Sequence, residues 1–401
     1  MNESTLPLLN EADRCVKCGL CLPHCPTYLK LTDEADSPRG RIALIQAWAA
    51  GELEPSAGLA RHLDRCLGCR ACERVCPSGV RFGRLLDGAR AGLRQDPKGQ
   101  GRGLPRWLLG CLSDRGCLRR LARPLPLLRA SGLLALGKRL TGGRLRRLLM
   151  LAELLPPRPT RSGLYPARQP TGRRLQLFIG CISSQADRPA IQASLELLQG
   201  LGYAVDIPAG QVCCGALYRH NGLPEEADEL CERNRQLTRR RPAAALITLA
   251  SACQLELTEQ QASSLPVHDI IDFLLELAQQ GRFELAPLNA RVAIHTPCTA
   301  GGDRSARLLR LIPGVEPFEL PDNAICCGAA GSYLLSQPTL SRALGRDKRA
   351  LIEAARPNIL VTGNTGCALQ LRLQIAAAGL AVELLHPVEL FQRQFRSFTL
   401  D

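Results

Sequence analysis

The 401-residue chain has no stretch of 18 or more predominantly apolar residues; Gly, Pro, Ser and Gln interrupt its longest uncharged stretches. A bilayer-spanning helix is therefore not expected. Aromatic residues are scarce, with two Trp, five Tyr and eight Phe. Few surfaces remain on which bases could stack, which argues against a single-stranded nucleic-acid partner. No short basic stretch followed by an apolar run precedes Cys15, so the N-terminus bears no mark of a secretory signal. There is no G-x-G-x-x-G, no phosphate-binding Walker loop and no supported Ser-His-Asp arrangement, and no residue is assigned a catalytic role.

Cysteine, by contrast, is abundant. The chain holds 19, an odd number that excludes complete internal pairing. A chain of this length can bury a core without disulfide staples. So many thiols point to a reducing, cytoplasmic setting in which they hold metal or carry redox chemistry.

Positive charge is concentrated in one segment. The net charge is +14, yet residues 101–175 hold 17 Lys or Arg against only Asp114 and Glu153. The rest of the chain has 34 bases against 35 acids and is close to neutral. The basic segment is also rich in Leu and reads as short amphipathic helices, broken at Pro124, Pro126, Gly142 and Gly143 and closed by Pro156 and Pro157. Such helices can lie on an anionic membrane or an acidic partner, with Arg144, Arg146 and Arg147 as candidate contacts; they can equally pack their Leu face on a neighbouring domain.

Two runs near the N-terminus share the spacing C-x2-C-x2-C-x3-C-P: Cys15, Cys18, Cys21 and Cys25 before Pro26, and Cys66, Cys69, Cys72 and Cys76 before Pro77. This is the bacterial [4Fe–4S] ferredoxin pattern, in which the fourth cysteine ligates the other cluster. Cluster I then takes Cys15, Cys18, Cys21 and Cys76, and cluster II takes Cys66, Cys69, Cys72 and Cys25. Gly19 and Gly68 suit a close approach of backbone amides to sulfur. Structural zinc is disfavoured, because its sites use separated C-x2-C pairs.

Beyond the basic segment, short apolar strands alternate with amphipathic helices. Strands over 175–179, 203–207 and 244–249 lead to Cys181, to Cys213-Cys214-Gly215 and to Cys253. The order repeats: strands over 292–295, 315–320 and 359–362 lead to Cys298, to Cys326-Cys327-Gly328 and to Cys367. Equivalent cysteines are offset by 117, 113 and 114 residues, which indicates duplication. Each half is expected to be a small parallel sheet with cysteines beyond the carboxyl ends of its strands. Cys298, Cys326, Cys327 and Cys367 offer a possible third cluster site; Cys181, Cys213, Cys214 and Cys253 offer a fourth. Cys111, Cys117 and Cys231 fit no ligand spacing and read as structural. The fold class is mixed α+β and α/β: an α-helical two-cluster ferredoxin domain over 1–95, a basic helical linker over 96–172, and a duplicated Rossmann-like cysteine-rich module over 173–285 and 286–401.

The doubled C…CCG…C module resembles the cysteine-rich domain of heterodisulfide-reductase-type proteins. The full order of motifs resembles the iron–sulfur subunits of glycolate oxidases (glycolate dehydrogenases). The resemblance rests on Cys15-Val-Lys-Cys-Gly19, Cys25-Pro-Thr-Tyr28, Ser37-Pro-Arg-Gly-Arg-Ile42, His62-Leu-Asp-Arg-Cys66, Cys76-Pro-Ser-Gly-Val80 and Cys326-Cys-Gly328 with Ala330-Gly-Ser-Tyr333. The module usually ends C-x2-C, whereas Ala250 precedes Cys253 by three and Asn364 precedes Cys367 by three. Each half thus lacks one ligand, which disfavours a five-cysteine disulfide-cleaving cluster. The resemblance implies flavin-containing partner subunits that oxidise glycolate to glyoxylate. It further implies electron transfer through this chain to a membrane quinone or other acceptor, at the cytoplasmic face of the inner membrane. The alternatives are the equivalent subunit of a D-lactate or anaerobic glycerol-3-phosphate dehydrogenase, and a heterodisulfide-reductase-like thiol–disulfide enzyme.

Overall fold

The computed structural model describes residues 6–99, 103–153, 160–323 and 325–400, with the side chains of Gly143, Arg144, Arg147 and Leu400 left aside. The sequence expectations for Arg144, Arg147, Pro156 and Pro157 fall outside that description.

The N-terminal part is built of short helices. Ser37 Oγ accepts the Gly40 N–H at 2.9 Å and Pro38 occupies the first turn, which starts the helix Pro38–Ala49. That helix buries Ile42, Ile45 and Ala49. The helix Phe82–Gln95 buries Phe82, Leu85, Leu86, Ala89 and Leu93, an apolar stripe at helical spacing. Both stripes join Leu59 and Leu63 in one core, against which Cys15, Cys66, Cys72 and Cys76 pack.

Five short helices follow: Arg106–Ser113, Arg115–Ala122, Leu125–Ala130, Leu133–Leu140 and Gly143–Glu153. The chain breaks at Pro124 and again at Gly142, where one helix ends at Leu140 and Gly143 begins the next, whereas Pro126 sits in the first turn of the helix after Pro124 rather than breaking one. Proline is tolerated there because the first-turn N–H has no helical partner. Leu109, Leu125 and Leu134 are buried, whereas Trp107, Leu121, Leu127, Leu133, Leu136, Leu140, Leu145 and Leu148 are exposed. The Leu face is therefore divided: Leu104, Leu108, Leu109, Leu112 and Leu151 pack on Leu223 and Leu335 of the sheet-containing part, and the remaining exposed leucines are left uncovered. Cys111 and Cys117, of no assignable spacing in the sequence, form a disulfide with Cα atoms 5.3 Å apart, tying the first of these helices to the second. No helix among the described residues is long and apolar enough to cross a membrane.

The remainder is mixed helix and sheet. Its strands are β1 (Gly163–Tyr165), β2 (Arg174–Phe178), β3 (Ala204–Ile207), β4 (Leu246–Thr248), β5 (Val267–Asp269), β6 (Gly281–Leu285), β7 (Ala290–Ile294), β8 (Val315–Glu319), β9 (Ile359–Val361), β10 (Glu383–Leu385) and β11 (Phe395–Leu400). One sheet runs β1-β3-β2-β4-β5, parallel except for β1, and a second runs β10-β9-β7-β8, wholly parallel. β1 lies inside the span expected to be linker, yet it pairs antiparallel with β3. β6 and β11 pair antiparallel, so the C-terminal strand returns to the strand before β7. A single apolar core runs through both sheets, from Leu175, Val205 and Ile247 to Val292, Val361 and Phe391.

Candidate cysteine sites

Each N-terminal run carries the same backbone signature. The second residue after its first cysteine and the residue after its second cysteine are both left-handed: Lys17 and Gly19 (φ 56° and 84°), then Gly68 and Arg70 (φ 64° and 57°). Such turns aim successive N–H groups inward and suit an anionic centre; the Gly68 N–H lies 3.4 Å from Cys66 Sγ.

Cys15, Cys18, Cys21 and Cys76 line one small cavity, closed by Ile42 and Phe82. The last cysteine of the second run thus joins the first three of the first run. Cys72 borders the same cavity. Burial, together with the charges of Cys66, Cys69 and Cys25, pushes the Cys72 thiol far above its usual range. Cys69 is raised likewise, by burial first and then by Cys298. Thiols crowded this way resist ionising until a cation shares them.

Cys25 is buried, and the Arg41 guanidinium lies beside it, its Nη1 4.0 Å from Cys25 Sγ. Arg41 is itself fully buried and donates to Thr27 Oγ1 (3.0 Å), Asp36 Oδ1 (3.1 Å) and the His62 carbonyl (2.7 Å). Arg65 Nη1 holds the other Asp36 oxygen at 2.8 Å. Burial opposes the charge on Arg41, but Cys66, Cys25 and Asp36 outweigh it and hold its pKa up. Gly40, one residue earlier, has no room for a side chain, since a methyl group would sit 1.8 Å from the Glu34 carbonyl oxygen. Arg41 was missed as a site residue, although it lies in the Ser37–Ile42 stretch that the sequence singled out.

The other eight candidate cysteines form two sets beyond strand ends. In the first, Cys181 Sγ lies 3.5 Å from Cys213 Sγ, and Cys213 interacts with Cys214 and Cys214 with Cys253. Cys231, read as structural, donates to the Cys214 carbonyl at 3.4 Å. In the second set, Cys298 is linked to Cys326, Cys326 to Cys327 and Cys327 to Cys367. Gly215 and Gly328, which follow the adjacent pairs, are both left-handed (φ 104° and 83°). His295 had no place in the sequence reading; its ring nitrogen lies within 4.8 Å of Cys327 and Cys367 Sγ. Lys348 is fully buried, donates to the Asp322 carbonyl (2.9 Å) and feels the charges of Cys327, Cys326 and Cys367.

At the position of the missing ligand, Asn364 Oδ1 accepts the Gly366 N–H at 2.9 Å and caps the helix Thr365–Ala378. Its Nδ2 donates to Ser251 Oγ (3.2 Å) across the seam between the sheets. Ala250 is buried just before the helix Ser251–Glu259.

The second set abuts the N-terminal domain. Cys69 and Cys298 pack in one apolar cluster with Leu67 and Cys326, and Arg74 Nη1 donates to the Cys298 carbonyl at 3.0 Å. Four soft thiol donors per set, a low-dielectric surround and inward N–H groups are the chemistry that iron–sulfur centres require. The residues fit the group.

A helical domain with two adjacent four-cysteine loops, followed by strand-end thiol sets, defines an iron–sulfur redox protein. The 4Fe-4S dicluster domain family matches residues 11–80, and the Cysteine-rich domain family matches twice, over 175–258 and 292–372. The probable glycolate oxidase iron–sulfur subunit of Bacillus subtilis (strain 168) is 32% identical, over 92% of this chain and 90% of its own. The glycolate oxidase iron–sulfur subunit of Escherichia coli (strain K12) is 33% identical, over 91% and 90%. One subunit of the fumarate reductase (CoM/CoB) of Methanothermobacter marburgensis is 24% identical, over 95% and 72%. The chain belongs to the family of glycolate oxidase iron–sulfur subunits. Among solved structures, glutamate racemase from Francisella tularensis aligns over 55% of this chain and 78% of its own at a TM-score of 0.27 and 15% identity, too low to equate the folds.

Proposed function

We propose that the chain is the electron-carrying subunit of a complex in which flavin-containing partners oxidise glycolate to glyoxylate. Cys15, Cys18, Cys21 and Cys76 hold one [4Fe–4S] group, and Cys66, Cys69, Cys72 and Cys25 a second. Cys298, Cys326, Cys327 and Cys367 hold a third, and the set at Cys181 is the weaker candidate for a fourth. Bound there, such a group accepts and releases single electrons. The protein's own part is to desolvate the thiols, to offset their charge with Arg41 and Lys348, and to keep the sets adjacent.

One observation carries this reading: the contiguity of the thiols, with Cys72 bordering the first cavity and Cys69 packed against Cys298. The equivalent strand orders β3-β2-β4-β5 and β8-β7-β9-β10 support a duplicated Rossmann-like module. The exposed leucines among basic helices support peripheral attachment to a membrane surface; the cytoplasmic face of the inner membrane and a quinone acceptor rest on the family resemblance. Asn364, engaged as a cap where a fifth ligand would stand, weighs against the disulfide-cleaving alternative.

Iron and acid-labile sulfide analysis of oxygen-protected protein tests the cofactor. About eight iron atoms mean two groups, about twelve bring in the set at Cys298, and none refutes the reading. Acceptor reduction by the purified complex with glycolate, D-lactate and glycerol 3-phosphate tests the substrate; no activity with glycolate excludes the glycolate reading.

A further inference from the structure

A cavity opens where the N-terminal domain meets the loops that follow Cys214 and Cys327. Cys66 lies in its wall with Arg90, Arg94, His220 and Ser332, and Leu63, Leu67 and Leu93 make it partly apolar. Arg90 bridges the cavity wall to the thiol set: its Nη2 donates to the Cys66 and Leu63 carbonyls (both 2.8 Å) and its Nη1 to the His220 carbonyl (2.9 Å). Its Nε is buried and has no hydrogen-bond partner among the described residues. Arg94 donates to the Asn221 carbonyl (2.8 Å) and the Leu104 carbonyl (3.2 Å). Burial and the neighbouring Arg106 lower its pKa, so a further acceptor would relieve it. His220 Nδ1 lies 3.2 Å from Asp87 Oδ1. The His220 side chain is half exposed; what burial there is opposes the charged ring, the Asp87 carboxylate beside it outweighs that, and the imidazole keeps its proton to higher pH than a free histidine.

The rim indicates how a ligand arrives. Leu104, Pro105 and Arg106 form one edge, and the next residue, Trp107, is 74% exposed at the start of the basic helices with their bare leucines. A soluble anion would need only the arginines. A mixed wall, an adjacent histidine whose pKa is raised, the ligand candidate Cys66 in the wall and a rim beside the exposed Trp107 suit a hydrophobic acceptor that takes up protons with its electrons.

We propose that this cavity binds the headgroup of a membrane quinone, with Arg90 and Arg94 facing its carbonyl oxygens, the leucines its ring, and His220 as proton donor. The inference rests on the electron-carrying reading above and names the site of its acceptor. The balance is complete: oxidation of a 2-hydroxy acid to the keto acid releases two electrons and two protons, and quinone to quinol consumes two of each. His220 gives the first proton and is reprotonated from solvent, which supplies the second.

Equilibrium dialysis of a benzoquinone bearing a single isoprenoid unit, with the iron-replete full chain, tests it. Saturable binding of one quinone per chain is expected, weakened at least about tenfold by Arg94→Gln and by the cavity-filling Ser336→Trp. Iron and sulfide contents should stay unchanged in both variants. His220→Asn should retain binding but shift the pH profile of quinone reduction by chemically reduced protein. Absence of saturable binding by an iron-replete chain, binding indifferent to both variants, or displacement of the quinone by glyoxylate each overturns the proposal. A chain without iron would instead overturn the reading beneath it.

Discussion

The most constrained residues around the N-terminal sites are not all cysteines. Arg41 links a thiol, a carboxylate, a hydroxyl and a backbone carbonyl while wholly buried. Removing it strands Asp36 at zero exposure with only Arg65 and His62 nearby. Arg41→Met should therefore destabilise the N-terminal domain by about 3–5 kcal/mol, the usual cost of breaking one side of a buried pair, read as a lowered denaturant midpoint. Cys25→Ser provides a sharper test of how the two runs interlock. It should perturb the electron paramagnetic resonance signal of the group held by Cys66, Cys69 and Cys72 and leave the other intact; damage confined to the group at Cys15 would contradict the exchange. The eight cysteines were legible because their spacing is local. Arg41 was not, because its partners Thr27, Asp36 and His62 come from three separate segments, and no periodicity announces them. Lys348 was hidden for the same reason.

At the scale of elements, the sequence conveyed strand–helix alternation and the thiols beyond strand ends, since buried parallel strands are short apolar runs that need no distant information. It did not convey β1, or the pairing of β6 with β11, because three- to six-residue edge segments acquire their structure from partners far along the chain. The basic helices were visible as amphipathic, but whether the leucines were covered was a tertiary fact. Leu127 and Leu140 are 75% and 76% exposed, flanked by Arg129, Lys138 and Arg139. Replacing both leucines with Ser should reduce partition of the full chain onto anionic vesicles by about tenfold or more, from the apolar area no longer buried in the interface. Binding should also weaken with salt. Co-sedimentation that ignores both the leucines and ionic strength would exclude the bilayer as the occupant of this face.

Over the whole molecule, the two sheets act through a shared core and a polar seam. Ser183 Oγ meets Thr365 Oγ1 at 2.6 Å, Ser251 Oγ meets Thr299 Oγ1 at 2.7 Å, and Arg372 reaches Asp187 at 3.3 Å. The loop after the first cysteine of each half thus touches the helix start that carries the last cysteine of the other half. Both thiol sets therefore depend on the seam, and His386 makes that dependence measurable. Its Nδ1 accepts the Val388 N–H (3.2 Å) at a helix start, which leaves Nε2 to donate to the Leu249 carbonyl (3.0 Å) at the end of β4 in the other sheet. A second proton would remove the cap. Burial lowers its pKa from 6.5 to about 4, with Arg304 and Arg372 pushing the same way and Asp187 opposing them. The folded pKa lies below the unfolded one, so between those values the unfolded chain holds a proton that the folded chain refuses. The stabilisation is complete above about pH 6.5 and is lost progressively as pH falls toward about 4. Between pH 7.5 and 5.5 the urea midpoint of the C-terminal part should fall by the equivalent of about 1 kcal/mol from this residue. His386→Asn keeps an N-capping side chain without the titration, so it should be less stable at neutral pH yet show a flatter pH slope. An unchanged slope in that variant would mean that protonation of His386 does not govern how the two sheets stay together in mild acid.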